Sequence, residues 1–84
     1  MKTEYKYIHF VISEKKPKTD VWDIRTNDTN DLLGQIKWYG PWRGYCVFTR
    51  DNVIFHYGCW QDIADFWRQL NEERKNANHS SQRP

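Results

Sequence analysis

Apolar and polar residues alternate along the first two thirds of the chain, and a period of two is the signature of strands with one face buried. Within Tyr5 to Ser13, Ile8, Phe10 and Ile12 fall on one side and Tyr7, His9 and Val11 on the other, predicting a first strand whose inner face is Ile8, Phe10 and Ile12. Glu14 to Asp20 is polar, and Pro17 within it cannot donate to a ladder, so the strand ends there. Val21 to Thr26 reads as a second strand with Trp22 and Ile24 on one face. Asn27 to Asp31, dense in residues that hydrogen-bond their own backbone, turns the chain. Gly34, Ile36 and Trp38 then oppose Gln35, Lys37 and Tyr39 in a third strand. Tyr45, Val47 and Thr49 oppose Cys46 and Phe48 in a fourth. Asp51-Asn52 makes a tight turn into Val53 to Tyr57, which is expected to be a fifth strand.

From Trp60 the period changes. Trp60, Ile63, Phe66 with Trp67, and Leu70 recur at spacings of three and four, one apolar stripe of a helix that begins after Gly58 breaks the ladder. Asp62 and Asp65 suit the positive end of the helix dipole, and Arg74 and Lys75 the negative end. The expected fold is α+β: a curved antiparallel sheet of about five strands in a meander, with one C-terminal helix packed on one face. Residues 1–75 form the single domain, and 76–84, without apolar periodicity, are expected to be a disordered tail.

The connection Gly40-Pro41-Trp42-Arg43-Gly44 is a hairpin loop in which Pro41 presets its own φ and either glycine can supply a positive φ. Trp42 and Arg43 therefore sit at a shaped tip, and Trp and Arg are enriched at binding hot spots. Two outcomes are open to the Trp42 indole: folding back over the sheet edge, or projecting as a contact. Arg43 either meets a partner or stacks on a neighbouring ring as a solvated cation. Trp38, on the face of Ile36, is read as core.

Composition narrows the options. A chain of 84 residues is one domain that buries a modest share of its surface, and aromatic residues at 17%, five of them Trp, supply the packing area it needs. A net charge of +2 and a pI near 8.6 fall short of a dedicated nucleic-acid domain. The distribution of charge says more: from Leu33 to Arg50 the chain carries Lys37, Arg43 and Arg50 and no Asp or Glu. The two cysteines cannot build a disulfide framework. Ile8 to Ile12 is too short for a signal peptide, and no stretch could span a membrane, so a reduced, cytoplasmic protein is expected.

Candidate chemistry is thin. Cys46, His56 and Cys59 lack the paired spacing and the fourth ligand of a structural zinc site. Cys59 beside His56 has no third group to orient a nucleophile and base. The helix dipole accounts for Asp62 and Asp65, and neither a phosphate-binding glycine loop nor a Ser-His-Asp order is present. The expectation is a non-enzymatic protein with no metal and no cofactor.

Ile36-Lys37-Trp38-Tyr39, Trp42-Arg43 and Tyr45, followed by Cys59, Asp62-Ile63 and Phe66, resemble a family of short uncharacterised bacterial and bacteriophage proteins with an Ile-Lys-Trp-Tyr-x-x-Trp-Arg-x-Tyr core. The resemblance covers most of Val21 to Leu70 and departs at Arg50 and Trp60, where family members more often carry Pro and Leu. It implies an intracellular protein encoded by a phage or other mobile element, residing in the host cytoplasm in the phage case, and names no catalytic residue. The leading functional expectation is a protein-binding module, an effector that acts on a host protein. A second comes from another class: single-stranded nucleic-acid binding, with Tyr39, Trp42 or Tyr45 stacking on bases while Lys37, Arg43 and Arg50 neutralise phosphates. Lys37, Tyr39, Trp42, Arg43, Tyr45 and Arg50 are the candidate binding residues under both.

Overall fold

The computed structural model describes the backbone of residues 1–82 and the side chains of residues 1–75. Strands β1 (Ile8–Glu14), β2 (Val21–Thr26), β3 (Leu32–Tyr39) and β4 (Gly44–Thr49) form one antiparallel sheet in sequence order, followed by helix α1 (Tyr57–Gln82). The architecture is α+β with four strands, not five. Val53 to His56 is an irregular connection instead of a strand. Its alternation of half-buried Val53 and Phe55 with exposed Ile54 and His56 mimics a strand, but the segment carries the chain towards the start of α1 without joining the ladder. The tail expected over 76–84 falls on residues whose side chains, and at 83–84 whose backbone, lie outside the described residues.

The even-numbered positions of β1 to β3 and the odd-numbered positions of β4 face the helix. Phe10 pairs with Ile24, Trp22 with Ile36, and Trp38 with Tyr45 across the ladders. Against them α1 lays Ile63, Phe66 and Leu70, spaced by three and four so that they share one side of a helix. Ile8, Phe10, Ile24, Ile36, Tyr45, Ile63, Phe66 and Leu70 are the buried core. Phe66 is its centre, stacked on Phe10 at 4.1 Å and meeting Trp22 edge-on at 4.9 Å. Ile12, expected inside, is 41% exposed, because the register shifts between Ile12 and Glu14 as β1 reaches its end. Gly34 admits no side chain: a Cβ there would stand 2.6 Å from the Phe48 carbonyl oxygen of β4.

Helix α1 begins earlier than its apolar stripe suggests. The Cys59 N–H donates to the His56 carbonyl at 2.9 Å, and the Gly58 N–H donates to His56 Nδ1 at 3.0 Å, so the imidazole caps one orphan amide of the first turn. No acidic residue lies in that turn, and the helix continues beyond Arg74 and Lys75, so none of the four dipole placements is terminal. Asp65 serves a different end. It accepts from the Tyr5 hydroxyl at 2.7 Å and from Arg68 at 2.7 Å, while Gln69 donates to the Lys2 carbonyl and accepts from the Lys2 N–H. These bonds tie the N-terminal segment to the helix. The same segment bonds to β1 through Phe10 N–H to Thr3 carbonyl, covering one sheet edge. Burial, then the Asp65 bond and charge, push the Tyr5 phenol well above the usual tyrosine range.

Candidate functional site

With α1 on one face, the odd positions of β1 to β3 and the even positions of β4 form the opposite, open face of the sheet. Across its middle runs a register row of Val11, Asp23, Gln35 and Phe48. Asp23 is only 6% exposed, because its carboxylate accepts from Arg25 Nη2 at 3.0 Å and from Gln35 Nε2 at 2.8 Å. A buried carboxylate that is paired and bonded at both oxygens is a fixed structural element of this face.

The hairpin end of that face carries the rings. Gly40–Trp42 forms a short 3-10 turn with Pro41 at its start, and the Arg43 N–H closes it on the Gly40 carbonyl at 3.0 Å. To return into β4 the chain then needs a left-handed residue, and it uses Arg43 itself, at φ 51° and ψ 49°. Neither flanking glycine takes positive φ, contrary to the expectation from sequence; Gly44 is already paired opposite Tyr39 in the ladder. An arginine held left-handed is strained by about 1–2 kcal/mol relative to right-handed backbone, a conformation that tends to persist where function favours it.

That turn lifts Trp42 to 76% exposure, with its ring edge-on to Tyr39 at 5.4 Å. The indole therefore projects from the tip and touches the sheet through Tyr39. Tyr39 also meets Phe48 at 5.9 Å, and Lys37 holds its ammonium 4.7 Å from the centre of the Phe48 ring. The cation–π contact fixes Lys37 above β4. Arg43 and Arg50 are exposed, one at the tip and one just past the far end of β4.

The candidate residues thus divide. Lys37, Tyr39, Trp42 and Arg43 gather at the hairpin end of the open face, and Arg50 lies at the other end of β4. Tyr45 belongs elsewhere. It is buried on the helix face against Trp38, its carbonyl accepts from the Trp67 indole at 2.9 Å, and burial pushes its phenol upward. Trp38 is packed against the core as expected, with Arg74 laid over its outer face at 4.0 Å. Phe48 is the ring that sequence reading left out, although the alternation of β4 places it with Cys46 opposite Tyr45 and Val47. His56 uses one imidazole nitrogen as a helix cap, and among the described residues no group of His, Cys, Asp and Glu is placed to hold a metal ion. No helix among them is long and apolar enough to cross a membrane.

The chain is 38% identical over 71 residues to an uncharacterised 9.3 kDa protein of Acholeplasma phage L2, a match that spans 82% of this chain and 90% of the phage protein. It belongs to the family of that small phage protein. No protein-family model matches the chain, and no solved structure matches it. Membership in this phage-protein family brings no activity with it, so the function has to be argued from the surface itself.

Proposed function

We propose that the protein is a small, non-enzymatic protein-binding module, encoded by a phage or other mobile element and acting on a host protein in the cytoplasm. The contact surface is the hairpin end of the open face: Trp42 at the tip against Tyr39, Phe48 next to Tyr39 towards the middle of the sheet, and Lys37 and Arg43 beside them. One observation carries this reading. The largest side-chain type in the chain is held 76% exposed by a turn that forces the next residue, an arginine, into left-handed backbone. A tryptophan that rests one edge on a rigid sheet loses little further freedom on binding, and Trp and Arg dominate interface hot spots.

The arrangement supports a protein partner over a nucleic-acid strand. Base stacking needs free ring faces, yet Lys37 lies over Phe48, and Tyr45 is buried. The nucleic-acid reading rests on Trp42 with Lys37, Arg43 and Arg50. Titration of the tryptophan fluorescence with a single-stranded oligonucleotide at two salt concentrations decides between the classes. Quenching that weakens with salt supports nucleic acid, and no quenching at low salt removes it. For the protein-binding reading, the test is capture from host lysate by wild type and by a Trp42→Ala, Arg43→Ala double variant whose circular dichroism is unchanged. The double variant should lose the captured partner, and retained capture would place the site elsewhere.

A further inference from the structure

The two edges of the sheet differ. The β1 edge is covered over its first half by the N-terminal segment, whereas β4 has its ladder on one side only. The phase of the β3–β4 ladder shows which groups face outward. Arg50 N–H donates to the Leu33 carbonyl, so Gln35 with Phe48 and Lys37 with Cys46 are the hydrogen-bonded pairs, and the alternate residues Tyr45, Val47 and Thr49 direct their N–H and C=O away from β3. The Trp67 indole occupies the Tyr45 carbonyl at 2.9 Å, in agreement with this phase. Among the described residues no donor or acceptor reaches the outward groups of Val47 and Thr49. A strand edge left this way is a template for another strand.

The charges beside the edge state what would fit it. Lys37 sits on β3, yet its ammonium is drawn over Phe48 of β4, towards the free edge. Arg43 stands at one end of β4 and Arg50 at the other, and the chain has no acid between Leu33 and Arg50, with Asp51 the first beyond. A second copy of the chain laid on the same edge would bring Lys37, Arg43 and Arg50 of both copies to one seam, a concentration of like charge that an acidic partner would relieve.

We infer that β4 is a docking edge for an extended, acidic segment of a protein partner, which adds a fifth strand by bonding to Val47 and Thr49 and turns its carboxylates to the open face beside Lys37, Arg43 and Arg50. This rests on the protein-binding reading above and names the partner's form and charge. Apolar residues alternating with those carboxylates would fall on the helix side, where half-buried Val47 extends the core.

The experiment is selection of a displayed library of random twelve-residue peptides against the full chain, followed by affinity measurement of the enriched peptides on variants. Thr49→Pro removes one outward N–H and no ladder bond, and the Thr49 side chain is exposed, so the fold tolerates it. Enriched peptides should be acidic and alternating, lose about tenfold in affinity on Thr49→Pro, and protect the Val47 and Thr49 amides from hydrogen exchange. A Lys37→Glu, Arg50→Glu variant should bind them worse again. Failure to enrich any peptide, enrichment of basic ones, or binding indifferent to Thr49→Pro overturns the edge. So does concentration-dependent dimerisation that Thr49→Pro abolishes. If Thr49→Pro is silent while Trp42→Ala destroys binding, the edge inference fails and the hairpin surface stands. The reverse pattern leaves the edge and removes the hairpin.

Discussion

Replacing Arg43 by glycine should make the protein more stable and a worse binder. Arg43 occupies left-handed backbone at φ 51°, and the structure assigns its exposed guanidinium no hydrogen bond or ion pair among the described residues. Left-handed backbone costs a residue with a Cβ about 1–2 kcal/mol, and glycine escapes that cost. Glycine in turn loses more freedom on folding, which returns about 0.5–1 kcal/mol. The difference is a net stabilisation of about 0.5–1 kcal/mol. For a chain this small the urea dependence is about 1 kcal/mol per molar, so the unfolding midpoint should rise by about 0.5–1 M at unchanged slope. Arg43→Ala retains the Cβ and should stay within about 0.5 kcal/mol of wild type. The measurement is a urea titration of the three proteins followed by tryptophan fluorescence. If glycine and alanine behave alike, the backbone is not strained at this residue. If glycine destabilises, the arginine side chain packs usefully, and the case for its being held out for a partner falls.

Three further outcomes follow from the packing. Phe66→Ala removes the ring stacked on Phe10 and edge-on to Trp22 and should cost about 3–5 kcal/mol, a large part of the roughly 4–13 kcal/mol expected of a domain this size, whereas Phe66→Leu should cost less than half as much by chemical denaturation. Gly34→Ala drives a Cβ against the β4 backbone and should lower stability by about 1–3 kcal/mol, read as a fall in melting temperature; an unchanged melting temperature would mean the strands stand further apart. Tyr5→Phe loses the bond to Asp65, about 1 kcal/mol near neutral pH. Because the folded phenol holds its proton more tightly than the unfolded one, that advantage of wild type is whole below about pH 10 and is lost as pH rises further, so the two melting curves should converge in alkali. Curves that stay parallel would show that Tyr5 and Asp65 are not coupled.

Much of the fold was legible because alternation is a direct trace of a half-buried sheet. The limits of β2 and the pairing of β3 with β4 followed from it, as did the stripe of Ile63, Phe66 and Leu70 that covers the sheet. The fifth strand was not legible correctly. Val53 to His56 alternates in burial as a strand does, and only the ladder, a long-range property, distinguishes a strand from an extended connection. The polar bonds were silent for the same reason: Tyr5 to Asp65 and Lys2 to Gln69 join residues 60 and 67 positions apart, with no local pattern to betray them. At the candidate site, Trp42, Arg43, Tyr39 and Lys37 were found by their loop and strand positions. Tyr45 was drawn in by sequence proximity, although its register with Trp38 puts it on the other face. Phe48 was missed because a phenylalanine in a strand reads as core until the open face is known. The left-handed Arg43 had no signal at all, since Gly40 and Gly44 on either side were the obvious hosts for positive φ.

Binding of a protein partner at the hairpin end of the open face is tested most directly by the affinity of a captured partner for Trp42→Ala against Ile54→Ser. Ile54 is 93% exposed on the connection before α1, away from the hairpin, and serves as a second exposed apolar position of equal standing on composition alone. With both variants folded, Trp42→Ala should weaken binding by at least about thirtyfold, the mark of a hot spot near 2 kcal/mol, and Ile54→Ser should leave it unchanged. Binding that survives Trp42→Ala and is lost with Ile54→Ser would contradict the account and move the contact to the opposite end of the molecule.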